Sequence, residues 1–208
     1  MSKLYWSDEE RCLVNEGRRF VPSRLAWTTD EGCPPAGREV TPLQALAQLA
    51  EQQSLRRVPI GIIGPREATP AQCELAADLG GALARHGLQL LCGGKSGVME
   101  AACRGHASEG GLPIGLLPDE EWQAANPYVA IPIATGIGPA RNAIIARACV
   151  ALVAIGGGVG TLSEMAFGLQ FGRLVLAMAD APQVDGVPRL AGVEAVLERI
   201  AMRLFGQL

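Results

Sequence analysis

Ala151-Leu-Val-Ala-Ile155 runs directly into Gly156-Gly157-Gly158-Val159-Gly160-Thr161-Leu162-Ser163-Glu164, and this stretch decides the fold. Apolar residues bounded by glycine read as a strand buried on both faces, as a parallel sheet requires. The glycines permit a sharp turn and the close approach of a ligand. From Thr161 the spacing predicts a helix through Met165, Ala166, Leu169 and Gln170. A strand, a glycine turn and a helix aim free amide N–H groups and the positive end of a dipole at one point. A phosphate is favoured there by ~0.3–1 kcal/mol, and by more when partly buried. A plainer reading stands beside this one. Thr161-x-x-Glu164 is also a capping box, in which the carboxylate reaches back to its own helix start. The run of glycines, which a cap does not need, favours the phosphate.

Outward from this stretch, strand and helix patterns alternate from Val58 onward. Strands are predicted at Val58–Ile63, Leu88–Cys92, Leu112–Leu117, near Ala130–Ile133, and at Leu174–Met178. Helices are predicted from Thr69-Pro70 to the stop at Gly87, after Gly97, around Arg141, and over Val193–Leu204. The alternation predicts an α/β fold with a doubly wound, Rossmann-like parallel sheet and helices on both faces. Residues 56–208 form this binding domain. Residues 1–55 are read as an N-terminal extension packing on the core. They hold Tyr5, Trp6, Phe20 and Trp27, the breaker cluster Gly32-Cys33-Pro34-Pro35-Ala36-Gly37, and a helix started by Thr41-Pro42.

A second glycine turn, Cys92-Gly93-Gly94-Lys95-Ser96-Gly97, aligns with Ile155-Gly-Gly-Gly-Val-Gly160. Neighbouring turns converge beyond the carboxyl ends of parallel strands, so the two are expected to build one site. Gly94-Lys95-Ser96 is not a P-loop, because Gln89 stands where that motif needs glycine.

The 208 residues carry a net charge of −3, and their lysines are Lys3 and Lys95 alone. That balance argues against nucleic-acid binding. The N-terminus lacks the apolar core of a signal peptide, and the longest uncharged run, Ala148–Ser163, is too short and glycine-rich to span a bilayer. A cytoplasmic protein without membrane contact is expected. The six cysteines and two histidines show no metal-ligand spacing, so no metal site is expected. A pyridoxal cofactor would need a Schiff-base lysine, for which Lys95 in a glycine turn is a poor candidate, and no cofactor is expected.

Arg141 is the charge that most needs a partner. It stands in the first turn of its predicted helix, against the dipole, on the face it shares with residues 145 and 148 that packs toward the sheet. An inward-turned cation requires an anion. Glu164 in a structural pair and the phosphate of a ligand are the two candidates.

Thr135-Gly-Ile-Gly-Pro-Ala-Arg141-Asn142, followed by Ala154-Ile-Gly-Gly-Gly-Val-Gly-Thr-Leu-Ser-Glu164, resembles the Lonely Guy (LOG) family of the SLOG superfamily, long labelled lysine decarboxylase. The resemblance covers about Val58 to Met178. It implies hydrolysis of the N-glycosidic bond of a nucleoside 5′-monophosphate, such as AMP or a cytokinin ribotide, to free base and ribose 5-phosphate. It further implies catalytic roles for Arg141 and Glu164, and phosphate or nucleotide binding by Gly157, Gly158, Gly160, Thr161, Gly93, Gly94, Gly97 and Met99. A homodimer packed through helices is also implied. Gly156 stands where the signature has proline, and Asn142 where lysine usually follows the arginine. With Glu100 after Met99, these look more like a sister branch that includes molybdenum-cofactor carriers, whose members bind a phosphorylated pterin without hydrolysing it. The alternative is therefore a non-catalytic carrier or sensor using the same pocket.

Overall fold

The computed structural model describes residues 3–29 and 37–208, so most of the breaker cluster around Pro34-Pro35 lies outside the described residues. The chain divides into two compact units, residues 1–57 with 197–208, and residues 58–196.

The first unit is an antiparallel sheet of β1 (Leu4–Ser7), β2 (Cys12–Asn15), β3 (Arg18–Val21), β4 (Ala26–Thr29) and β5 (Arg38–Val40), in the order β4-β3-β2-β1-β5. It also holds helix α1 (Pro42–Glu51), opened by a capping box of Thr41 and Gln44. The chain's end completes its core. Phe20 packs edge-to-face on Trp27 and on Phe205, with ring centroids 5.2 and 5.1 Å apart, and the Trp27 indole N–H donates to the Phe205 carbonyl at 2.9 Å.

The second unit runs β6 (Pro59–Ile63), α2 (Pro70–Arg85), β7 (Gln89–Cys92), α3 (Val98–Ser108), β8 (Ile114–Leu117), β9 (Ile131–Ala134), α4 (Arg141–Ala148), β10 (Ala151–Ile155), α5 (Val159–Gln170) and β11 (Leu174–Met178). The last helix, α6 (Val193–Leu204), starts in this unit. Its six strands are all parallel, in the order β11-β10-β6-β7-β8-β9. Alternation along each strand divides the faces. Leu91, Leu116, Leu152, Ala154, Val175 and Ala177 pack with Ile145 of α4 and Met165 of α5. Cys92, one residue on, turns to the other face and meets Cys103 of α3 with sulfurs 3.4 Å apart. There α2 and α3 press together so closely that a Cβ on Gly80 would strike Ala102, and one on Gly105 would strike Ala77. The sheet is thus doubly wound, an α/β Rossmann-like fold. Among the described residues no helix is long and apolar enough to cross a membrane.

Two local expectations change. Helix α5 begins at Val159, not at Thr161, with Gly158 at its N-cap. In α4 the buried face holds Arg141, Ile145 and Ala146, with Cys149 just beyond, while Ala148 is exposed. The inward stripe runs 141-145-149 rather than 141-145-148.

Candidate functional site

Strands β6 and β10 are neighbours, yet their connections leave in opposite directions around the sheet, so a crevice opens beyond their carboxyl ends. A cleft of ≈ 350 Å³ occupies it, lined by Gly64, Pro65 and Arg66 after β6, Met99 of α3, Pro118 after β8, Pro139, Arg141 and Asn142 before and in α4, and Gly158, Gly160, Thr161 and Glu164 at α5. That size suits a small ligand.

Arg141 and Glu164 meet at its floor. The Arg141 Nη1 donates to Glu164 Oε1 at 3.2 Å and to Asn142 Oδ1 at 2.7 Å, and its Nη2 points to the Gly93 carbonyl at 3.5 Å. Both side chains are 8% exposed. Arg141 Nε is buried without a partner among the described residues. Burial pulls the Arg141 guanidinium below its usual value, against the opposing effect of Glu164. Burial likewise pushes the Glu164 carboxyl up to about 7, although Arg141 pulls it down. A buried ion pair is weak evidence of a stabilising role. This one keeps an unspent donor and a carboxyl poised to exchange a proton near neutrality, as a binding or catalytic site would. Asn142 ties the pair to the helix start above it, its Nδ2 donating to Ser163 Oγ at 3.1 Å.

The start of α5 forms one wall. No side chain caps it, so the Thr161–Glu164 capping box does not form; Glu164 is turned to Arg141 instead. Gly158 and Gly160 have open space where a Cβ would stand, so packing does not explain them. Gly157 has φ +128°, and a Cβ there would collide with the Thr161 side chain. Its role is the turn itself.

The glycines of the earlier turn are packed against other parts of the unit. A Cβ on Gly93 would strike the Arg141 guanidinium, and one on Gly94 would meet Leu117. Gly97, at φ +71°, lies against the carbonyls of Pro65 and Arg66. Of these positions only Met99 lines the cleft. Gly93 acts on the site indirectly, making room for Arg141 and accepting from it. Sequence reasoning assigned no role in the site to Gly64, Pro65 and Arg66, which no local motif marks, or to Asn142, which entered only as the residue after the arginine. The loop after β8 reaches the cleft through Pro118 and is pinned to the glycine turn by Lys95, which donates to Asp119 Oδ2 at 3.0 Å and to the Ala124 carbonyl at 2.9 Å. Residues 180–189 supply none of the lining. Asp180 instead accepts from Gln72 Nε2 at 2.6 Å, and Arg189 holds the carbonyls of Ala179 and Ala181.

Known proteins resemble this chain over about two thirds of its length. An uncharacterized protein of Archaeoglobus fulgidus is 37% identical over 133 residues, 64% of this chain and 87% of its own. The molybdenum cofactor binding protein of the phototrophic bacterium Rippkaea orientalis superimposes with a TM-score of 0.66 at 34% identity, over 71% of this chain and 97% of its own. The molybdenum cofactor carrier protein of Chlamydomonas reinhardtii gives the same TM-score and identity, over 72% and 99%. The profile of the SLOG cluster4 family matches residues 57–197, which run from the strand before the cleft to the last helix. With more than half of its length so matched, the chain belongs to the SLOG cluster4 family.

Proposed function

We propose that this protein binds a phosphorylated pterin of the molybdenum-cofactor type as cargo, with the phosphate at the start of α5, and does not break it down. One observation carries the reading: Arg141, whose buried Nε has no partner among the described residues, lines the same cleft as an uncapped helix start flanked by open glycines. A donor left unmatched in a protein interior costs free energy that an anion recovers. Gly158, Gly160 and Thr161 give the phosphate its amides, and Arg141 gives it a charge-assisted bond. Gly93 and Gly157 shape the two turns, and Met99 offers an apolar surface to the ring system. The likeness to two molybdenum cofactor proteins over nearly their whole length supports the choice of cargo. The cytoplasm is the compartment in this reading. The working unit is a homodimer.

The experiment is to express the chain in a host that makes molybdenum enzymes and to measure molybdenum and oxidised-pterin fluorescence in the purified protein. Near-stoichiometric pterin in the wild type, lost on Arg141→Met, is the expected result. No pterin in either sinks the reading.

A second reading, N-glycosidic hydrolysis of a nucleoside 5′-monophosphate, is favoured by Glu164 specifically. Its carboxyl lies one turn from Thr161, is held by Arg141, and exchanges its proton near pH 7. Carboxylates that stabilise an oxocarbenium-like sugar or activate water need this placement. Arg141 would then hold the phosphate and steady the departing base. Incubation with AMP, with adenosine as the control, separates the two readings. Adenine released from AMP and abolished by Glu164→Gln establishes hydrolysis; binding without release leaves the carrier.

A further inference from the structure

The cleft carries more positive charge than the pair at its floor uses. Arg66 follows Gly64 and Pro65 in the exit turn of β6 and is exposed on the cleft wall. Its backbone is held in place. The Arg66 carbonyl accepts from Ser96 Oγ at 3.3 Å, the Pro65 carbonyl accepts from the Val98 amide at 3.2 Å, and Gly97 is packed against both carbonyls. Among the described residues Arg66 forms no ion pair. Asp119, whose carboxyl feels the charge of Arg66, is already bonded to Lys95. Arg66 therefore acts on its surroundings as a like charge beside Arg141, pulling that guanidinium further below its usual value. Two guanidiniums face one cleft, and the carboxylate lining that cleft is already paired with Arg141. Such an arrangement is self-repelling until an anion enters. Because β6 and β10 are adjacent and parallel, Arg66 and the start of α5 leave the sheet edge side by side.

We propose that Arg66 is the specificity-determining residue that reads the second negative charge of a phosphomonoester bound at the start of α5. The inference deepens the phosphate-binding reading above and rests on the same cleft. A phosphomonoester carries about −1.5 to −2 at neutral pH, whereas a diester carries one charge. The α5 amides and the Arg141 guanidinium take either group. Arg66 adds a charge-assisted contact that favours the dianion, so the cleft selects terminal phosphates over bridging ones.

The test uses the full isotope-labelled chain at pH 7.5, titrated with inorganic phosphate and with dimethyl phosphate, following the amide resonances of Val159 to Thr161. The wild type binds inorganic phosphate more tightly than dimethyl phosphate. Arg66→Gln weakens inorganic phosphate about tenfold and shifts dimethyl phosphate by no more than about twofold, while Arg66→Lys restores part of the difference. Unchanged phosphate affinity in Arg66→Gln, equal weakening of both probes, or no movement of the α5 amides in the wild type overturns the proposal. Neither pterin nor nucleotide enters this readout. A chain that passes it yet takes up no pterin separates an error about the cargo from an error about Arg66.

Discussion

Glu164 joins fold stability to the chemistry of the cleft through one proton. Its carboxyl titrates at about 7 in the folded chain, against an ordinary 4.5, because burial outweighs the pull of Arg141. Between those two values the folded state holds a proton that the unfolded state has lost, so rising pH destabilises the fold across this window. Above about pH 7 the penalty is complete. Glu164→Gln, which keeps the shape and cannot ionise, escapes it. We expect the variant to gain on the wild type between pH 5 and pH 8 by about 2 kcal/mol, read from paired thermal melts. A difference that stays flat with pH would show that burial does not govern this carboxyl. The same proton is linked to binding. A phosphate placed beside Glu164 adds negative charge and raises its proton affinity further, so ligand binding near pH 7 takes up protons. Calorimetry in buffers of different ionisation heat should count a fractional proton taken up by the wild type and none attributable to this site in Glu164→Gln.

At the scale of elements, glycines that look alike in the sequence do opposite jobs. Gly105 lets α3 lie against α2; a Cβ there would strike the Ala77 carbonyl of a neighbouring helix backbone, which cannot move aside cheaply. Gly160 sits in the first turn of α5 at a negative φ with open space above it. Gly105→Ala is therefore expected to cost about 1–3 kcal/mol in denaturant unfolding. Gly160→Ala should leave stability unchanged or raise it by at most about 1 kcal/mol, while weakening phosphate binding about tenfold or more by blocking the amides. Loss of stability without loss of binding at Gly160 would remove the phosphate from this helix start. This contrast marks how far the sequence is legible. The strands of the parallel sheet can be read because Ile60–Ile63 and Ala151–Ile155 are apolar runs whose burial does not depend on register. The meeting of Arg141 and Glu164 can be anticipated because each sits at a helix start that follows a parallel strand. The functions of Gly93, Gly94 and Gly97 cannot, since their reasons are Arg141, Leu117 and Pro65, which touch them only after folding. Thr161 misleads because it has a cap's chemistry, while the cap position itself falls to Gly158. None of the strands β1 to β5 is read from the sequence, because their short apolar runs are broken by charges, as at Arg18 and Arg19 of β3, whose alternation only its partners reveal.

For the whole molecule, the apolar surface that folding leaves uncovered is informative. Helices α4 and α5 bury Ile145 and Met165 against the sheet, yet keep Ile144 45%, Leu162 42% and Leu169 38% exposed on the outward side. Leu162 and Leu169, seven residues apart, share a face of α5, and α4 packs against α5; exposed branched aliphatics on adjoining helices mark an interface when they form one patch. The central strands of the parallel-sheet unit need nothing further, since β6, β7 and β10 are buried along almost their whole length. The two helices that carry Arg141 and Glu164 would then be braced by a second copy of themselves, which holds the cleft without occupying it. Light scattering of the wild type should accordingly give about twice the chain mass of 21.8 kDa. Ile144→Glu combined with Leu162→Glu should give the monomer, because charges brought together across a two-fold axis cannot be desolvated at acceptable cost. Both side chains are exposed in the chain, so the doubly substituted protein should keep its circular dichroism and bind inorganic phosphate. A wild type that runs as a monomer, or a variant that remains dimeric, would show that the outward face of α4 and α5 is not where copies of this chain meet.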